Sequence, residues 1–275
     1  MKKFTVAKLL AACLSMIVIS NAGAASSAAS SLGNFHITLI DLDLSDGITP
    51  SLTLTLAAPP TARVLTLDQD STLTAAGPFQ SISNSNAGLY FSQSAAATGA
   101  GTLETLWLQA ASQSNGANSG RYDVASRASA GLLNFELSAH TGLRISADAA
   151  VSAASSGLIA GPDFTSAAAV ATMDAYIGHE GAWEYAWAAA GAGVLDLRGQ
   201  PDALLPKSDA RIDTLTLVYD NATAGSKSGV LDFRVGADLS QFPASAPVPE
   251  PAAYAMLGAG LLMLGALRAR RRQHR

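Results

Sequence analysis

The sequence predicts an all-β body, an antiparallel two-sheet β-sandwich of jelly-roll type. Three observations predict it. Apolar and polar residues alternate at period two in segment after segment. Clusters of Gly, Ser, Asn and Pro separate those segments, as at Thr98-Gly99-Ala100-Gly101 and from Ser112 to Gly120. Charged residues make up only 14% of the 275, which excludes long charged helices and coiled coils.

The predicted elements follow in order. A strand covers 34–44, and Leu52, Leu54 and Leu56 then alternate with Ser51, Thr53 and Thr55. Short strands are expected over 63–68, 87–93, 102–110 and 121–127. Leu133, Phe135, Leu137 and Ala139 alternate with Asn134, Glu136, Ser138 and His140. Leu143, Ile145, Ala147, Ala149 and Val151 resume the pattern after His140-Thr141-Gly142, so the two runs read as a hairpin. Segment 165–177 is Ala-rich and helical by propensity. Val170, Thr172 and Tyr176 nevertheless share one face at period two, which favours a strand over 168–177. Further strands cover 182–195, Leu215 to Tyr219 and Leu231 to Leu239. About ten to thirteen strands, each sheet with one wet face, make a single domain over 25–243.

Both ends differ from this body. Residues 1–24 read as a signal peptide: basic Lys2, Lys3 and Lys8, an apolar run from Leu9 to Ile19, and Ala22-Gly23-Ala24 as a small-residue cleavage site before Ala25. That run is too short to span a bilayer stably. Export would engage the Sec translocon and signal peptidase. The only cysteine, Cys13, lies in this leader, so the mature body holds no disulfide and no thiolate metal site. Residues 244–275 contain a Pro-rich spacer, then the apolar run Ala252–Leu267, then five arginines from Arg268 to Arg275. The run is at the short limit of a transmembrane helix, and the arginine block would stay cytoplasmic. Between residues 25 and 248, nine Lys and Arg face twenty Asp and Glu, a net charge of −11. Such a body repels nucleic acid and anionic headgroups and suits a neutral or cation-rich partner.

The order of spacer, span and arginines resembles the PEP-CTERM sorting signal of Gram-negative bacteria. The motif here is Val248-Pro249-Glu250-Pro251, with Arg268, Arg270, Arg271 and Arg272 behind the span as a topology lock. The resemblance implies processing by an exosortase, a membrane transpeptidase-like enzyme that removes the tail near the motif. It implies only a transient inner-membrane anchor, then release to the cell surface or an exopolysaccharide (biofilm) matrix. The stretch Leu39 to Pro50 resembles a strand-and-turn pattern near the mature start of some PEP-CTERM proteins, and it implies no activity.

Three constellations in the body carry chemistry. Asp41, Asp43 and Asp46 offer clustered oxygens of the kind calcium takes. No cofactor is otherwise expected, and the alternative reading is a charged strand edge ahead of a turn, which resists aggregation. Asp68 and Asp70 repeat the pattern more weakly. Trp183, Tyr185 and Trp187 share one face of a strand. Such a row packs as core, the reading favoured here with Glu184 on the opposite face, or else stacks on sugar rings. Trp107, among leucines, is also expected in the core. No catalytic motif occurs, and His179-Glu180 is the one local cluster with acid–base potential. Asn221-Ala222-Thr223 matches a glycosylation sequon. The expectation is a non-enzymatic structural or adhesive protein, with a carbohydrate-binding module as the alternative and a secreted hydrolase behind both.

Overall fold

The computed structural model describes residues 26–243 apart from 78, 89–90, 115–120, 158–161, 180–181 and 198–199. The chain divides into two compact units, Met1–Pro243 and Ala244–Arg275, and the second lies outside the described residues. So do the leader, the Ala24–Ala25 junction, Pro249, Glu250, Pro251 and the arginine block.

Among the described residues, thirteen strands form two antiparallel sheets over one apolar core. In chain order they are β1 (Ser26–Asp41), β2 (Leu52–Ala58), β3 (Thr61–Leu65), β4 (Asp70–Thr74), β5 (Ile82–Ala87), β6 (Phe91–Thr98), β7 (Trp107–Ser114), β8 (Tyr122–Leu137), β9 (Thr141–Ser155), β10 (Pro162–His179), β11 (Ala182–Leu197), β12 (Lys207–Asn221) and β13 (Lys227–Pro243). The first sheet has the order β12-β9-β1-β7-β6-β5. The second has the order β11-β10-β13-β8-β3-β4, with β2 also paired to β8. The described residues contain one short 3-10 turn, Leu103–Thr105, and no helix long and apolar enough to cross a membrane.

The alternation fixes the inner faces. Leu133, Phe135 and Leu137 are buried, as are Leu143, Ile145 and Ala147, and Leu231, Phe233, Val235 and Leu239. The Ala-rich segment is strand, as its pattern predicts: Ala167, Ala169, Ala171, Met173, Ala175 and Ile177 line the core of β10. Pairing along its whole length to both β11 and β13 outweighs the weak helical preference of alanine. Small inner residues let the sheets approach closely. Ser30 Oγ donates to Gly236 O across the core at 2.8 Å, and Ser112 Oγ donates to Ala237 O at 2.8 Å.

Three expectations need correction. The runs 133–139 and 143–151 are not a hairpin, because β8 pairs with β13, β3 and β2 while β9 pairs with β1 and β12. The chain arches between the sheets at His140, which has a positive φ of 49°. Both runs turn their apolar sides to the same core in either arrangement, so the pattern cannot choose between them. Segments 121–127 and 133–139 are one strand, β8, interrupted by a bulge. Gly131 takes a φ of 81°, and two residues oppose one between Ser129↔Arg234 and Leu132↔Asp232. The inner face passes from Val124, Ala128 and Ala130 to Leu133 and Phe135, a change of parity that breaks the period. β1 has the same device at Asn34, which hides its start at Ser26. Finally, 87–93 and 102–110 each run across a break, the first between β5 and β6 and the second over the 3-10 turn before β7. β4 exposes all its residues and shows no alternation to read.

One pole of the sandwich is polar inside. Asp196, Thr165, Gln241 and Tyr122 lie in register across the inner face of the second sheet, all buried. Lys207 of the first sheet reaches Asp196 Oδ1 at 2.9 Å, so an ion pair joins the sheets there.

Candidate functional site

Tyr185 and Trp187 of the aromatic row of β11 are not core. Tyr185 is 53% exposed and Trp187 is 64% exposed, both on the outer face of the second sheet. The inner positions of β11 belong instead to Ala186, Ala188, Ala190 and Ala192. The thin, alanine-lined interior favours small residues there and puts the large rings outside. The backbone of Trp183 pairs with Gly178, while its side chain lies outside the described residues.

Pairing extends the row across the sheet. Residues opposite one another in antiparallel strands share a face. Tyr185 lies opposite Tyr176, Tyr176 opposite Val230, Val230 opposite Asn134, and Asn134 opposite Thr55. The Tyr176 and Tyr185 rings pack with centroids 4.9 Å apart. An adjacent line runs from Trp187 to Asp174, Asp232 and Leu132. Thr53, Thr55, Asn134, Glu136, Ser228 and Val230 line an open groove of about 390 Å³ next to the rings. The face therefore offers flat apolar surface at one side, with hydroxyl, amide and carboxylate groups at the other.

The charged groups of this face are tied to one another. Tyr185 Oη donates to Asp174 Oδ1 at 2.5 Å, and that bond, with the negative charge beside it, pushes the phenol above its ordinary range. Arg234 Nε donates to Asp232 Oδ2 at 2.7 Å, and its Nη2 contacts the same oxygen. This bond raises the Arg234 guanidinium above its usual value. Asp232 is only 4% exposed although it lies on the outer face, and its Oδ1 has no hydrogen-bond partner among the described residues. The Gly131 bulge sits across from these two residues. Asp174, Asp232, Arg234, Tyr176 and the groove escaped sequence reading, since only register brings them beside Tyr185 and Trp187.

The acidic cluster is rearranged. β1 ends at Asp41, so Asp43 and Asp46 are turn residues and not strand neighbours of Asp41. Asp41 Oδ1 accepts from Asp43 N, and Asp46 Oδ1 accepts from Ile48 N. Asp43 Oδ1 accepts from both Oγ and N of Ser45, which holds its carboxyl below the usual range. Single ligand atoms of Asp43, Asp46 and His140 lie within 4.8 Å of one another. An imidazole in that set suits a transition metal better than calcium. These bonds account for the carboxylates as turn formers. Asp70 is held by Arg63 at 2.6 Å, so Asp68 and Asp70 form no pair of free oxygens.

The other candidates sort as follows. Trp107 is half-buried, its ring lying where a Cβ on Gly33 would stand, 2.1 Å from Cε3. The His179 side chain and Glu180 lie outside the described residues. Asn221 is buried, and its Nδ2 donates to Ser138 O and Gly225 O, each at 2.8 Å. In the folded body this sequon is a structural clamp, not an accessible acceptor.

A family profile, the PEP-CTERM protein-sorting motif, matches residues 247–272. No curated protein and no solved structure among those compared matches the chain. The match covers Pro249, Glu250, Pro251, the apolar run and Arg268, Arg270, Arg271 and Arg272, the residues on which the resemblance rests. The chain is thus a PEP-CTERM sorting domain-containing protein, and the motif supports export and sorting by an exosortase.

Proposed function

We propose that the body is a non-enzymatic adhesive protein of the cell surface or exopolysaccharide matrix, and that it holds that matrix through the outer face of β10 and β11. The observation that carries this reading is the line of exposed rings, continued across the sheet by a groove that presents hydroxyl, amide and carboxylate side chains. Large exposed apolar patches mark interaction surfaces. Aromatic faces with convergent hydroxyl and amide groups suit sugar rings, which are apolar on their faces and polar at their edges. The leader supplies export, and the tail supplies a transient anchor that exosortase removes.

Affinity electrophoresis of the protein through gels containing its host's exopolysaccharide tests the binding. Retardation that disappears in the Tyr185→Ala, Trp187→Ala variant is expected; equal retardation of variant and parent would overturn the reading. Intact mass of the protein from its host tests the sorting. A chain beginning at Ala25 and ending near Pro251 is expected. A mass that includes Arg275 in the surface fraction would sink the processing step.

A further inference from the structure

We infer that the sugar held by this face carries a free amino group, so that the ligand is a polymer containing unacetylated, cationic hexosamine. This rests on the carbohydrate-binding reading and deepens it. Asp174, Asp232 and Glu136 share the outer face of adjacent strands, where Arg234 is the cation paired with Asp232 and Arg127, further along β8, is paired with Asp238. Arg234 is engaged by a single oxygen of Asp232, Oδ2. The second oxygen, Oδ1, is buried and accepts no hydrogen bond from the described residues. A buried carboxylate oxygen left without a donor is costly, and its residue is 96% buried on the face where the rings stand. Asp174 commits one oxygen to Tyr185 and lies opposite Trp187.

An ammonium answers each of these features. It brings three donors and no acceptor, with a positive charge to offset the surplus of carboxylates. The faces of Tyr176, Tyr185 and Trp187 attract cations, and indole does so best. A neutral hydroxyl would satisfy one oxygen and leave the charge, while a uronic acid would add to it. The net charge of −11 over residues 25–248 disfavours acidic polymers in the same way. From Thr55 to Tyr185 the line crosses five strands. At about 4.8 Å per strand spacing it runs about 19 Å, room for a short oligosaccharide laid across the strands.

Calorimetric titration of the full chain in detergent, with a β-1,4-glucosamine oligomer, its N-acetylated counterpart and an oligogalacturonate, tests the inference. The glucosamine oligomer should bind at least about tenfold more tightly than the N-acetylated one, a factor typical of one charge-assisted contact. Trp187→Ala should abolish both, and Asp174→Asn should remove the preference for the amine. Asp213→Asn, an equal charge change on an exposed position of β12, should leave binding unchanged. Equal binding of the amine and the acetamide would overturn the amino-sugar inference and leave the carbohydrate reading standing. Binding of no oligomer would overturn both. An equal loss in Asp213→Asn would reduce the effect to general attraction of a polycation and overturn the site.

Discussion

Gly131 is the residue on which the bulge of β8 turns, and Gly131→Ala should destabilise the body strongly. Its φ of 81° costs a residue with a Cβ about 1–2 kcal/mol. The added Cβ would also stand 2.0 Å from Ala58 O and 2.6 Å from Pro59 C. Contacts under 3.0 Å are essentially never seen, so this backbone between β2 and β3 must retreat by at least 1 Å. Overpacking of that kind costs about 1–3 kcal/mol. The two contributions together give roughly 2–5 kcal/mol. Urea unfolding followed by tryptophan fluorescence measures this, with Gly225→Ala as the control. Gly225 has open space around its Cβ position, and the control should stay within about 0.5 kcal/mol of the parent. The bulge faces Asp232 and Arg234, so Gly131→Ala should also weaken any binding that uses them. A Gly131→Ala protein as stable as the control would refute the claim that the backbone here is tight and left-handed.

The two faces of the second sheet should respond in opposite ways. Phe233→Ala, on the buried side, should cost about 3–5 kcal/mol in the same urea assay. Trp187→Ala, on the exposed side, should cost less than about 1 kcal/mol while abolishing polysaccharide retention. Comparable costs would mean that Trp187 is packed after all. In a titration followed at 295 nm, Tyr122, Tyr185 and Tyr219 should ionise later than free tyrosine. Burial raises the Tyr122 phenol; the Asp174 bond raises Tyr185; burial and then Glu184 raise Tyr219 to about 12. A phenol whose folded pKa is raised stabilises the fold fully below its unfolded value of about 10. For Tyr219 that contribution is lost as the pH rises from about 10 through about 12, so stability should fall across this window. Asp174→Asn should bring the Tyr185 transition earlier, and an unchanged curve would exclude their hydrogen bond.

The sequence by itself determined the all-β class and the sorting motif of the tail. Period-two alternation marks a strand wherever one face is buried, and it survived even in the Ala-rich β10, where propensity argues for helix. The tail was legible because spacer, apolar run and arginines are local features that need no partner. The tertiary structure decided what a local pattern cannot carry. Alternation assigns a residue to a face and names no neighbour, so the runs around His140 could form a hairpin or an arch, and they form an arch. Bulges at Asn34 and Gly131 switch parity within single strands, and the pattern there looks like two strands or none. The candidate site belongs to this second class. Tyr185 and Trp187 could be read as a row, but whether the row points inward depends on which side faces the other sheet. Tyr176 and Asn134 lie 9 and 51 positions from Tyr185 in the chain, and Asp174 and Asp232 lie 13 and 45 positions from Trp187, brought together by register alone. Hydrogen bonding between strands fixes that register over the whole sheet at once, and no short window of sequence contains it.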